Sequence, residues 1–210
     1  MTPRLYIYEH CPYCIRVLTG FRLKRMPVEL IHLDNDDEDT PRRMVGRKIV
    51  PILEDGDGFM AESLDILHKI DGLSEPRLFG RAPRHETMAW IELWKATIYG
   101  LVLPRVADPV FPEFRRQEAR AAFRQKKELS YGSFDLLLER TGELKSEMER
   151  GLADLVPNLP LEKPGMDDIM LFPFLRSLSI VPELDLPDRV VAYRDRMMRL
   201  TDIGMVALTA

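Results

Sequence analysis

The chain has 210 residues, 30 basic against 34 acidic side chains, a formal net charge of −4 and 45% apolar content. That suffices for one large domain or two small ones with their own cores, and so weak an acidic balance argues against nucleic acid or an anionic membrane as the main partner. The N-terminal apolar run is too short and too charged for a secretion signal, and no later run reaches membrane-spanning length; a soluble, cytoplasmic protein is expected.

Leu5-Tyr6-Ile7-Tyr8 predicts a strand buried on both faces of a sheet. His10-Cys11-Pro12-Tyr13-Cys14 follows and holds both cysteines of the chain, which excludes a disulfide-stapled framework. His10, His32, His68 and His85 are too scattered to complete a zinc site, so no metal is expected. A bare CxxC is also compatible with two buried cysteines one helical turn apart. The context argues for more. Cys14, Val17, Leu18 and Phe21 recur at helical spacing, which turns Cys14 inward. Pro12 fits the first helical turn and leaves Cys11 at the helix start, where unpaired N–H groups favour a thiolate. Arg16 is within reach of the same end; a charge beside the thiolate and a solvated surface charge are both open readings. His10 reads as a structural or exposed strand-end residue.

Val28 to Leu33 is a second strand-like run, and strand, helix, strand in that order predicts a right-handed βαβ unit with a parallel sheet. The acidic stretch Asp34 to Asp39 reads as a solvated loop that leads into a short helix starting at Thr40-Pro41 and ending near Gly46. Lys48 to Leu53 is β-rich but carries Pro51, out of place in a central strand; a trans proline at a strand start and a cis Val50–Pro51 bond are both open, with base rates favouring trans. Glu54 to Gly58 predicts a hairpin turn and Phe59 to Ala61 its return strand. A helix then opens at Glu62-Ser63, with Ile66, Ile70 and Leu73 on its apolar face and Gly72 near its end.

Residues 74–84 are rich in Pro and Gly without periodicity and read as a linker, which divides the chain into domains at 1–73 and 85–210. The second half is helical in pattern. Trp90, Trp94 and Ile98 share one face, Leu144, Met148, Gly151, Leu152 and Leu155 another, and Asp188 to Asp202 is a further helix. Clusters at Pro104, Pro109 and Pro112, and at Pro157, Pro160 and Pro164, are expected to separate the helices. The Met and aromatic stripes read as core packing, and no repeat, dinucleotide fingerprint or P-loop is present.

These residues together resemble a known family. Cys11-Pro12-Tyr13-Cys14 looks like the active site of the dithiol glutaredoxins on a thioredoxin-like first module. Val50-Pro51 falls where that fold carries its cis-proline, and Glu62-Ser63 where glutathione-binding members carry an acidic-Ser pair. The second half resembles the C-terminal domain of the glutathione transferases. The combination is similar to the bacterial glutaredoxins built on the transferase two-domain plan, along nearly the whole chain, including Asn35-Asp36-Asp37, Arg43-Met44-Val45-Gly46, Val50 to Leu53, and Asp167-Asp168-Ile169 through Pro173. One departure is Gly165 before Met166, where transferase-type domains start the late helix with a Ser/Thr capping box; glycine is an acceptable N-cap.

The resemblance implies an α/β thioredoxin-like N-terminal domain, an all-α transferase-like C-terminal domain, and a glutathione-dependent thiol–disulfide oxidoreductase. Cys11 would be the nucleophile and Cys14 the resolving cysteine. The resemblance makes the Val50–Pro51 bond cis, so that the Val50 backbone meets the cysteinyl part of glutathione. It also gives Ser63 the γ-glutamyl carboxylate, Glu62 the ammonium group, and Tyr13 a place beside the tripeptide. Glutathione would be a co-substrate with no bound cofactor, the partners glutathionylated or disulfide-containing proteins, and the chain a monomer. A transferase conjugating glutathione to electrophiles needs no second cysteine, and members that carry an iron–sulfur cluster commonly have a single cysteine and Gly where Pro12 stands; a non-catalytic adaptor of transferase shape is the remaining alternative.

Overall fold

The structure, a computed structural model, describes residues 2–160 and 163–206; Met1, 161–162 and 207–210, and with them the outer ends of both expected domains, lie outside the described residues. The apolar run near the N-terminus forms β1 (Arg4–Ile7), with Leu5, Tyr6 and Ile7 buried as a central strand requires. Helix α1 (Pro12–Leu23) leads to β2 (Glu29–His32), which pairs parallel with β1 in the register Leu5 to Leu30. After α2 (Asp39–Val45), closed by Gly46 in the left-handed region (φ 78°), come β3 (Ile52–Asp55), β4 (Gly58–Met60) and α3 (Ser63–Gly72).

The sheet order is β2-β1-β3-β4, and β3 pairs antiparallel with both β1 and β4. The expected parallel sheet is therefore mixed: the βαβ unit is parallel, but the tight turn after Asp55 can only join antiparallel strands. The acidic loop is also not simply solvated. Asp34 and Asp36 face Arg116 of the helical half at 3.6 and 3.2 Å, and Asp37 accepts the Thr40 N–H at 3.0 Å.

The second half holds α4 (His85–Val106), α5 (Gln117–Tyr131), α6 (Phe134–Glu139), α7 (Thr141–Leu155), α8 (Met166–Ser177) and α9 (Asp188–Thr201). Helix α4 is central, packed by α5, α6, α7 and α8, so it buries Ile91, Leu101 and Val102 besides the expected Trp90 and Ile98. The third member of that face, Trp94, is half-buried over Gly151, where a Cβ would lie 2.5 Å from the ring. Pro104 does not separate two helices: it sits in the last turn of α4, where little helix remains to be broken, and Arg105 satisfies the nearby Leu101 carbonyl at 2.6 Å. Gly165 caps α8, and its N–H donates to Asp168 Oδ2 at 3.0 Å, so the carboxylate half of a capping box survives without a hydroxyl.

Helix α1 departs most from its expected amphipathic pattern. It is buried from Cys14 through Phe21, because α3 packs on one side and α8 and α9 on another. Gly20 permits this approach: a Cβ there would meet Leu67 Cδ2 at 2.4 Å. One apolar cluster consequently runs from Leu5 through α1 and α3 into the helical half as far as Val206.

Candidate active site

β1 delivers the chain to the site and α1 carries it away. Cys11 is the N-cap of α1 in extended conformation (φ −76°, ψ 119°), Pro12 follows in the first turn, and the Cys11 N–H is spent on the Tyr8 carbonyl at 3.1 Å. Cys11 is half-buried, whereas Cys14 is fully enclosed. The Cys14 thiol donates a hydrogen bond that stabilises a Cys11 thiolate; burial opposes it, and the charge of His10 with the Cys14 and Tyr13 backbone N–H groups adds to it, bringing Cys11 down to about 6. Burial, with the same hydrogen bond and the adjacent sulfur, pushes Cys14 well above its ordinary value. The two thiols are split in opposite directions: one is ready to attack at neutral pH and the other is kept protonated.

Arg16 is not a solvated charge. It is 5% exposed, donates through Nη1 to Ser63 Oγ at 3.2 Å, and holds its Cζ 4.9 Å from the centre of the Tyr13 ring. Its Nε is buried without a partner among the described residues. Burial lowers its pKa against the opposing influence of Tyr13, Cys11 and Tyr99, so the guanidinium shares one locus with Cys11. Ser63 is buried at the first position of α3. Glu62 before it is an exposed residue at φ 70°, a backbone region that non-glycine residues rarely adopt. Its carboxylate pairs with Arg47, so Ser63 and Glu62 adjoin in the chain but engage different cations. The Val50–Pro51 bond is cis, and Val50 packs with Cys11 on the apolar group of Tyr6, Tyr8, Leu33 and Ile52.

Tyr13, Arg16, Ser63, Val50 and Cys11 thus gather around one end of α1. The helical half supplies a further wall that sequence reasoning missed. Burial, then the neighbouring Tyr13, pushes the Tyr99 phenol up, and Tyr131 meets the Tyr99 ring edge-on at 5.4 Å. Lys127, its pKa lowered by burial, lies within electrostatic reach of Cys11. His10 bonds Glu113 from the same half, 103 residues away in the chain. No local signal marks these residues, since nothing in the sequence near Tyr99, Glu113 or Lys127 refers to the cysteines. A cavity of about 750 Å³ lined by Arg77, Arg81, Lys163 and Asp167 contains none of the site residues.

Residues 86–210 match the family model for the glutaredoxin 2 C-terminal domain, and residues 5–77 that for the glutathione S-transferase N-terminal domain. Glutaredoxin 2 of Escherichia coli strain K12 is 44% identical over 215 residues, covering 99% of each chain. The crystal structure of glutaredoxin 2 from Salmonella typhimurium in complex with glutathione superposes with a TM-score of 0.91 at 39% identity, over 97% of this chain and 96% of that one. A glutathione S-transferase from Methylobacterium radiotolerans in complex with glutathione sulfonate shares the fold at a TM-score of 0.63 and 21% identity, over 100% of this chain and 98% of its own. A relative this similar over its full length, with the C-terminal model matched across the helical half, places the chain in the glutaredoxin 2 family.

Proposed function

We infer that this member of the family, a glutathione-dependent thiol oxidoreductase, reduces protein–glutathione mixed disulfides and protein disulfides through Cys11. The Cys11 thiolate attacks the glutathione sulfur of a mixed disulfide, the protein thiolate leaves and takes up a proton, and Cys11 is left bonded to glutathione. A second glutathione thiolate attacks that sulfur, restoring Cys11 and releasing glutathione disulfide. With a protein disulfide, Cys11 attacks one protein sulfur, Cys14 attacks Cys11 in the mixed disulfide, and two glutathione molecules reduce the resulting Cys11–Cys14 bond. The observation that carries this reading is the placement of the two thiols, Cys11 half-buried at the start of α1 and Cys14 enclosed one turn further in, which favours the thiolate at the first and the thiol at the second.

Glutathione would lie against the Val50 backbone and Pro51, with Tyr13 beside it and its γ-glutamyl end at Ser63 and Glu62. Arg16 supports this orientation: it donates to the Ser63 oxygen, which leaves the Ser63 hydroxyl free to donate to a carboxylate, and its buried Nε awaits an acceptor. We place the domain boundary within 74–84 and take the chain to act as a cytoplasmic monomer on glutathionylated or disulfide-containing proteins. No helix among the described residues is long and apolar enough to cross a membrane.

Two assays on one preparation test the function: glutathione-dependent reduction of a glutathionylated disulfide, and conjugation of glutathione to an electrophile. Reduction is expected to dominate; conjugation without reduction would return the chain to the transferase reading. For the binding residues, Ser63→Ala and Glu62→Gln are each expected to raise the KM for glutathione about five- to thirtyfold, the equivalent of roughly one to two kcal/mol for a charge-assisted hydrogen bond. Glu62→Gln should leave stability unchanged, whereas Ser63→Ala also removes the acceptor of buried Arg16. Unaltered glutathione kinetics in both variants would put the γ-glutamyl end elsewhere.

A further inference from the structure

The residue before the nucleophile is gripped from the other half of the molecule. Glu113 lies in the 3₁₀ turn Pro112–Phe114 that follows α4, and it is fully buried. Its Oε1 accepts both the His10 backbone N–H at 3.0 Å and contacts His10 Nδ1 at 2.6 Å, while Oε2 is buried with no partner among the described residues. The turn is fixed in place by the Glu113 carbonyl, which accepts the Asn35 N–H at 3.0 Å from the loop after β2. An aromatic cage completes the setting: Tyr8 stacks parallel to the His10 ring at 5.9 Å, Phe114 lies at 4.9 Å and Phe123 meets it edge-on at 5.4 Å.

A carboxylate enclosed in that way is costly unless a cation and hydrogen bonds compensate it. Burial pushes Glu113 up, but the hydrogen bonds and charge of His10 outweigh it and hold the acid below the ordinary carboxylate range. It therefore stays ionised at neutral pH and grips His10 twice, through the backbone N–H and through the ring Nδ1. The same imidazole adjoins Cys11 in the chain and favours its thiolate.

We propose that Glu113 is a positioning residue that holds the His10 imidazole in place beside Cys11, so that the helical domain tunes the nucleophile of the α/β domain. The proposal rests on Cys11 being the nucleophile, but its readout is the ionisation of Cys11 and not turnover. Other groups facing Cys11 are Cys14, Tyr13 and Arg16 of α1, Tyr8 after β1, Tyr99 of α4 and Lys127 of α5; Glu113 itself is within reach of Glu9 and of Arg176 of α8. None of these changes in the variants used below.

The sign of the effect makes the experiment decisive. Acting as a bare negative charge, Glu113 would disfavour the thiolate, so Glu113→Gln would shift the Cys11 midpoint down; acting through His10, its loss shifts the midpoint up. The midpoint is read from thiolate absorbance and from the pH dependence of iodoacetamide alkylation, with mass spectrometry placing the label at Cys11. Glu113→Gln and His10→Gln are each expected to raise it by about one pH unit, the scale of one charge-assisted hydrogen bond. The double variant should rise no further than His10→Gln alone, because without the imidazole only the direct negative charge of Glu113 remains, and its removal can only lower the midpoint. A downward or absent shift in Glu113→Gln, or an upward shift that persists undiminished in the His10→Gln background, overturns the proposal. Should Glu113→Gln not fold, His10→Gln decides alone, and an unchanged Cys11 midpoint there is equally fatal. Cys11→Ser, which removes turnover and leaves this geometry in place, tests the underlying assignment separately.

Discussion

Replacing Cys11 by serine is expected to abolish reduction of every disulfide substrate, while Cys14→Ser keeps the removal of glutathione from mixed disulfides and loses the reduction of intraprotein disulfides. The difference follows from where the two sulfurs sit. Cys11 is half-buried and favoured as a thiolate; Cys14 is enclosed, with its proton held in the bond to Cys11. A substrate sulfur can reach only the first. Serine at position 11 supplies a hydroxyl that is not ionised at neutral pH, so the loss should reach the assay background. Serine at position 14 leaves the Cys11 thiolate, and the Cys11–glutathione disulfide can still be resolved by free glutathione, whereas a Cys11–protein disulfide loses its resolving thiol. The check is a matched pair of substrates, one glutathionylated and one with an internal disulfide, assayed on both variants. Equal loss of glutathione removal in the two would sink the division of labour.

The second large effect lies away from the chemistry. Lys24 at the end of α1 has a side chain 1% exposed, 3.1 Å from Asp71 Oδ1, and it also donates to the Asp71 carbonyl at 3.2 Å and the Pro76 carbonyl at 2.8 Å. Asp71 in turn accepts the backbone N–H groups of Leu78 and Phe79 at 2.8 and 3.1 Å. This pair ties α1, α3 and the linker at one point. Removing either partner leaves the other charge buried without its counter-charge, so Lys24→Met and Asp71→Ala should each cost about 3–5 kcal/mol. In a chain of this size that lowers Tm by roughly 10 °C. The double variant should lose less than the sum of the singles, because neither charge is then stranded. Burial raises the Asp71 pKa, but the Leu78 N–H, Lys24 and the Phe79 N–H outweigh it and hold the acid below its ordinary range. Its contribution is therefore complete above the unfolded value of about 3.9 and drains away as pH falls through the lower native one. Chemical denaturation at neutral and acid pH checks both statements; singles that unfold with the wild type would show that the pair contributes nothing net.

Local pattern carried some of this architecture and not the rest. The β1 run, the CxxC at a helix start, Gly46 as a left-handed stop and the tight turn before Gly58 are dictated by neighbours in sequence, and each appears where the pattern places it. The burial of α1 on several sides is not local. Its spacing predicts one apolar face, but α1 meets α8 and α9 from the far end of the chain as well as α3, and Ile15, Arg16 and Thr19 are buried too. The same holds at the site. Cys11, Cys14, Tyr13, Val50, Pro51, Glu62 and Ser63 are candidates that motif and resemblance can propose because they lie in the first half, where the motif lies. Arg16 stayed ambiguous, since whether a charge is solvated depends on what packs over it. His10 read as unremarkable because its partner, Glu113, is 103 residues away on a turn between helices.

The position of α1 has a consequence for how far the two halves can be treated as separable parts. It carries both cysteines at its start, and its flanks are shared between α3 and the pair α8 and α9. A fragment ending near the linker would keep the redox motif but uncover the flank of α1 that meets α8 and α9, and would lose the Arg176 donors to the carbonyl and carboxylate of Glu9, two residues before Cys11. The redox motif is thus not a portable module. The helical half behaves as an obligatory scaffold, covalently attached and always at saturating local concentration, for the half whose cysteine-bearing helix it helps to enclose.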